Sequence, residues 1–178
     1  MKKYLIFVVV IILSLVVLTS GCVNNDETNE TKSFSGNGIS FVYNGTWNTA
    51  NTTAPNAIVA VGDPTTVDAQ NNPTTFVLIQ KPNETVDNNL EATYTQNYAS
   101  FFNNTTNQRV SEANITINSN QALENVYMTN SGGLQIQMRA VWIIQNGTIY
   151  VILCGTIPSK FEAEQKNFDL IINSFTVQ

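Results

Sequence analysis

The stretch Leu134–Gly155 constrains the fold of this chain more than any other. It reads LQIQMRAVWIIQ, then Asn146-Gly147, then TIYVILCG: two long β-type runs joined by one dipeptide. Both central residues of a type I′ turn need positive φ, and Asn and Gly tolerate it best, so the runs are predicted to form a hairpin with a two-residue turn. That turn length fixes the register. Ile144 then faces Ile149, Trp142 faces Val151 and Ala140 faces Leu153, with Met138 on the same side. The other side carries Val141 opposite Ile152, Ile143 opposite Tyr150 and Arg139 opposite Cys154. One side is apolar throughout, while the other becomes polar towards Gln135, Gln137 and Arg139. Such a pair belongs at the centre of an antiparallel sheet, with its apolar side packed on a large layer.

The rest of the chain supplies further strands and two helices. Gly38–Trp47 alternates Ile39, Phe41 and Tyr43 before a turn at Asn44-Gly45, which predicts a strand ending in a corner tryptophan. Ala57–Val61 and Thr75–Gln80 read as short strands separated by a polar loop, and Pro82 closes the second. In Asn88–Asn103, Leu90, Tyr94, Tyr98, Phe101 and Phe102 recur at helical steps, with Asp87, Asn88 or Asn89 available as N-cap. Arg109–Asn118 and Ala122–Thr129 read as two more strands split at Ser119-Asn120. After Pro158, Ser159 and Glu162 match a capping box, opening a last helix with Phe161, Gln165, Phe168, Ile172 and Phe175 on one face. The expected fold is α+β: an antiparallel sheet of about six or seven strands with two helices packed on it.

The first residues have a different grammar. Lys2 and Lys3 precede an apolar run from Tyr4 to Leu18, followed by Leu18-Thr19-Ser20-Gly21-Cys22. A run of fifteen residues suits a signal-peptide core rather than a membrane span, which needs about twenty. The five residues resemble the lipobox of prolipoproteins, in which the Cys sulfur takes a diacylglyceryl group and the leader is cut before it. That resemblance implies residues 1–21 as signal peptide and lipid attachment at Cys22. Residues 22–33 then form the lipidated Cys and a polar tether, with a domain over 34–178. Val23–Lys32 (VNNDETNETK) has no apolar periodicity, and as coil it would span roughly 15–20 Å. The expected location is outside the cytoplasm, with the membrane as a partner through the lipid.

Charge and residue inventory narrow the function. Of eight basic residues two fall in the leader, leaving six against thirteen acidic ones, a balance of −7. The six are scattered (Lys32, Lys81, Arg109, Arg139, Lys160 and Lys166), which excludes nucleic acid as a natural partner. The chain has no histidine, so the commonest general base and metal ligand are both missing. Cys154 sits in an apolar run and reads as a buried structural thiol; a bridge to Cys22 competes with lipid attachment. Asp63, Asp68, Asn71 and Asn72 share one loop, but their spacing matches no EF-hand. A pair such as Glu91 with Glu124 would have to converge for carboxylate-only hydrolysis. No catalytic residue, cofactor or metal is therefore assigned. N-x-[ST] sequons occur at Asn29, Asn44, Asn51, Asn83, Asn103, Asn104, Asn114 and Asn146. Of these, Asn44, Asn51, Asn83, Asn104, Asn114 and Asn146 are the candidate N-glycosylation sites, in a host that glycosylates its exterior proteins.

The element order, with GISFVYNGTW near the start and YVILCGTIPSKFEAEQKNFDLIINSF at the end, resembles the PsbP-like family. This family includes the extrinsic PsbP subunit of photosystem II, the bacterial lipoprotein DcrB and a Ran-binding nuclear factor. The pattern is carried by Gly38, Phe41, Tyr43 and Trp47, then by Tyr150–Thr156, Ser159–Ile172 and Ser174-Phe175. Asn44 stands where members usually have Pro. The resemblance implies an αβ sandwich and does not by itself imply a function. The metal binding of plant members has no histidine here to receive it. The expected role is a lipid-anchored binding or accessory module of the cell envelope with a protein partner, and not an enzyme. A carboxylate hydrolase and a passive glycosylated spacer are the alternatives.

Overall fold

In a computed structural model, which describes residues 30–83 and 85–178, the predicted hairpin is the centre of the molecule. Strands β8 (Leu134–Gln145) and β9 (Thr148–Thr156) pair in the expected register, from Gln145 opposite Thr148 to Gln137 opposite Thr156. Asn146 and Gly147 take φ of 51° and 71°, as a type I′ turn requires. Five earlier strands are β1 (Thr31–Gly36), β2 (Ile39–Asn44), β3 (Asn48–Ala50), β4 (Ala57–Gly62) and β5 (Phe76–Gln80). Helix α1 (Leu90–Tyr98) and a 3-10 turn (Phe101–Asn103) follow, then β6 (Gln108–Ile117) and β7 (Asn120–Ser131). Helix α2 (Phe161–Ser174) and the short β10 (Thr176–Val177) complete the chain.

Among the described residues the strands make two antiparallel sheets, one of seven strands in the order β3-β4-β5-β9-β8-β7-β6 and one of three in the order β1-β2-β10. The α+β class expected from sequence holds. The layering is richer than a single sheet with one covered side, because both faces of the central hairpin are buried. The Trp142 face packs with Tyr94 and Tyr98 of α1, together with Leu78, Met138 and Leu153. The Val141 face packs against α2 and the small sheet, through Phe168, Ile171, Ile172, Ile39 and Phe41. The two helices therefore lie on opposite faces of the large sheet. Glycine at 155 belongs to this packing, since a Cβ there would stand 2.7 Å from both Met138 Sδ and Phe76 Cζ.

Four local expectations are corrected. Thr31 and Lys32, read as the end of the tether, open β1 and pair with Asn44 and Tyr43. The aromatic helix starts at Leu90, because Asp87 and Asn88 hold positive φ and Asn89 supplies the cap, accepting from Ala92 N–H at 2.9 Å. It breaks after Tyr98, and Phe101 and Phe102 turn onto Tyr127, with ring centroids 5.2 and 6.0 Å away. The Ser159–Glu162 capping box does not form. Pro158 begins a 3-10 turn (Pro158–Lys160), and α2 starts beyond it with no side-chain cap. The rest of the α2 face is as read, with Phe161, Phe168, Ile172 and Phe175 buried and Ile171 added to them. The small sheet was not foreseen beyond β2, since β1 is mostly exposed and β10 has only two residues.

Candidate functional site

Cys22 and Asn29 lie outside the described residues. The other sequence candidates can be placed. Asp63 and Asp68 serve their own loop. Asp63 Oδ1 accepts from the backbone and hydroxyl of Thr65, at 2.9 and 2.7 Å. Asp68 Oδ1 accepts from the N–H groups of Gln70 and Asn72, at 2.9 and 2.8 Å, and its Oδ2 accepts from the Asn72 amide at 3.2 Å. Burial pushes the Asp68 carboxyl up, but the Asn72 and Gln70 donors outweigh it and hold the group below its usual range. Among the described residues no group of three His, Cys, Asp or Glu side chains is placed to hold a metal ion.

Glu91 and Glu124 do not converge. Glu91 stands on α1, whereas Glu124 is on the opposite face of the large sheet, bonded to Arg139 Nε at 2.7 Å. Arg139 also reaches α2, donating to Asp169 Oδ1 at 2.6 Å and Gln165 Oε1 at 2.9 Å. Its guanidinium is drawn into this set because the β8 register puts it over Cys154 and beneath α2. Cys154 is wholly buried and free; burial drives its pKa far up, and the nearby Arg139 only partly opposes this. A thiol so placed is no nucleophile at neutral pH.

The α1 face of the sheet is aromatic. Trp142 Nε1 donates to Tyr98 Oη at 3.2 Å, and Tyr98 stacks with Phe102 at 5.3 Å. Tyr94 donates its hydroxyl to Glu112, which also pairs with Arg109 at 2.9 Å, and Arg109 lies 4.4 Å above the Phe102 ring. Burial first, and the Glu112 contact second, raise the Tyr94 pKa. The cleft among Tyr98, Phe101, Tyr127 and Trp142 measures only about 50 Å³, room for a few waters rather than a ligand. Asn125, on the same face between Leu123 and Tyr127, is fully buried, and neither amide atom has a hydrogen-bond partner among the described residues. A buried amide left without any partner costs about 1–3 kcal/mol.

Open space lies at the other end of α1. A groove of about 570 Å³ runs between the start of the helix and strands β6, β7 and β8. Its polar lining comes from Asn88, Asn89, Glu91, Asn114 and Gln121, over an aliphatic floor that includes Leu90 and Leu123. Sequence reading missed this groove, because its residues come from four separate elements. The sequon asparagines differ in access. Asn51, Asn83, Asn103, Asn104, Asn114 and Asn146 are exposed. Asn44 is half-buried, donates to Asn167 at 3.1 Å and accepts from Thr46, so its amide is already committed to the fold.

Comparison with solved structures gives the same architecture. The chain is similar to cyanobacterial PsbP (CyanoP) from Synechocystis sp. PCC 6803, with a TM-score of 0.63 at 13% identity over 89% of this chain and 99% of that one. It is similar to LpqN of Mycobacterium tuberculosis, described as involved in cell envelope biogenesis, with a TM-score of 0.53 at 12% identity over 84% and 92%. A Bacteroides thetaiotaomicron protein follows, with a TM-score of 0.56 at 11% identity, of which this chain covers 48%. At such identities the likeness is one of fold. No curated protein sequence matches the chain. The model of the family described as PsbP-like protein matches residues 6–177, nearly the whole length, and the chain belongs to that family.

Proposed function

We propose that this protein is an extracytoplasmic, lipid-anchored accessory module that binds an envelope partner and performs no catalysis. The observation that carries binding over turnover is the employment of the chemistry-bearing side chains. Cys154 is buried, Arg139 and Glu124 hold each other, Glu112 is tied to Arg109 and Tyr94, and Asp68 closes its own loop. The amide-rich groove at the start of α1 is left as an open, adaptable surface, and it is the partner site in this reading. Family membership supports an accessory role, and the envelope role ascribed to LpqN accords with it.

The anchor rests on the sequence pattern ending at Cys22. Eight residues lie between Cys22 and the first residue of β1, so the nine steps from Cys22 to Thr31 give about 30 Å of chain at full extension. A lipid on Cys22 would thus hold the domain close to the headgroups and raise its effective concentration there. Intact-mass analysis of the membrane fraction is expected to show loss of residues 1–21 and a gain of acyl mass, and Cys22→Ala is expected to abolish both. A soluble, unmodified chain with another N-terminus would overturn the anchor. For the groove, a photo-crosslinking residue at exposed Gln121 should give a discrete adduct in native membranes, whereas one at exposed Glu162 on α2 should give none. Equal adducts at both positions, or turnover of an envelope substrate that vanishes on changing one carboxylate, would overturn the binding reading.

A further inference from the structure

The seven-stranded sheet ends differently at its two edges. At one edge β3 has three residues, too short to template another strand. At the other, β6 has ten, and all from Gln108 to Thr116 are exposed except half-buried Ile115. A long edge strand is normally blunted by Pro, Lys, a bulge or an unpaired charge. Here the irregularity lies between Arg109 and Ser111, leaving Ser111–Ile117 in unbroken register with β7. That run contains no Pro and no Lys, and its one charge, Glu112, is already neutralised by Arg109.

We propose that β6 is a pairing edge at which two copies of this chain join into one continuous antiparallel sheet, about a two-fold axis at Asn114. The register follows from the β6–β7 turn. Asn118 and Ser119 take φ of 49° and 67°, a two-residue turn flanked by the pair Ile117 and Asn120. Residues flanking such a turn exchange both hydrogen bonds, and bonded and non-bonded pairs alternate from there. Ile117, Ile115, Ala113 and Ser111 thus bond to β7. The N–H and C=O groups of Thr116, Asn114 and Glu112 point away from the sheet. Only outward residues can bond to a new strand, and one two-fold register uses all three. Asn114 pairs with Asn114 of the second copy, and Glu112 pairs with its Thr116.

The side chains agree with that register. Ala113 falls opposite Ile115, an apolar pair, and Glu112 falls opposite a neutral Thr116. The two Glu112 side chains stand four residues apart along the strands, on the order of 14 Å from the rise per residue, beyond the screening length of about 8 Å. Like charges are therefore never opposed at the seam, although both copies are acidic. Asn114 and Thr116 also line the groove, so the seam would bring the two grooves together on one face, whatever each holds.

The test is disulfide crosslinking of the full-length chain in its own membranes. At a bonded antiparallel pair the Cα atoms lie about 5.5 Å apart, within the range a disulfide accepts. Asn114→Cys is expected to give a reducible dimer on mild oxidation, at least tenfold more than Thr116→Cys, whose two copies would be on the order of 14 Å apart by the strand rise. Asn114→Lys, exposed and so harmless to folding, sets two ammonium groups against each other on the axis. It should reduce a lysine-independent crosslink of the otherwise wild-type dimer at least tenfold. Equal dimer from Asn114→Cys and Thr116→Cys, or no dimer from Asn114→Cys, would overturn the proposal. So would mass spectrometry showing a glycan on most copies of Asn114, because a sugar there cannot coexist with the seam.

Discussion

Truncating Trp142 to alanine is expected to destabilise the domain by about 3–5 kcal/mol, the usual cost of deleting a large buried aromatic. Trp142 is 5% exposed, and its ring sits 5.8 Å from that of Tyr94 and 5.9 Å from that of Tyr98. Register places Val151 on one side of it and Leu123 on the other. Its loss opens a cavity beneath α1 and removes the Nε1–H that Tyr98 Oη accepts. Tyr98 is itself buried, so that oxygen would be left without its donor. With about 5–15 kcal/mol in a typical domain, the variant should be largely unfolded or melt of order ten degrees lower. Trp142→Phe should lose much less, since it keeps an aromatic ring. Differential scanning calorimetry of both variants decides the matter. A shift of only a degree or two for Trp142→Ala would mean that α1 does not close this face.

Arg139→Ala is expected to have the second-largest effect, about 3 kcal/mol, by the logic of removing one partner from a shielded charge network. The Arg139 side chain is 15% exposed and that of Glu124 18%, so the Glu124 carboxylate would be stranded near the interior. Asp169 is 48% exposed and can be resolvated, which puts the penalty on the β7–β8 side rather than on α2. Arg139→Ala with Glu124→Gln should recover part of the loss, because the stranded charge is then gone. Cys154, opposite Arg139 and fully buried, reports on the same event. Its labelling by a thiol reagent under native conditions should accelerate on the order of a hundredfold, given tenfold per 1.4 kcal/mol. Unchanged labelling and an unchanged denaturation midpoint would show the network to be decorative.

The two variants probe opposite faces of one hairpin, and that hairpin is where sequence was most informative. A two-residue turn and a period of two leave no freedom in register, so Asn146-Gly147 alone determined every pair from Met138–Gly155 to Gln145–Thr148. Periodicity likewise marked the buried residues of β2 and α2, because those faces are set by local geometry. The absence of histidine and the scattered cations limited the chemistry before any fold was known.

Tertiary structure decided what depends on neighbours distant in sequence. That both hairpin faces are covered follows from α1 and α2 docking on opposite sides, which neither helix announces. The aromatic helix ends at Tyr98 because Tyr127, on β7, draws Phe101 and Phe102 inward. β10 exists only because the chain beyond α2 meets Ser40 and Ile39 of β2. Whether β6 is an edge is set by the strand order, since a strand's own residues carry no record of how many neighbours it has. The groove and the Arg139 network arise in the same way, from side chains on several elements that fold together. Local rules act over a few residues and can be read along the chain, whereas assembly joins segments whose separation carries no signal in the sequence.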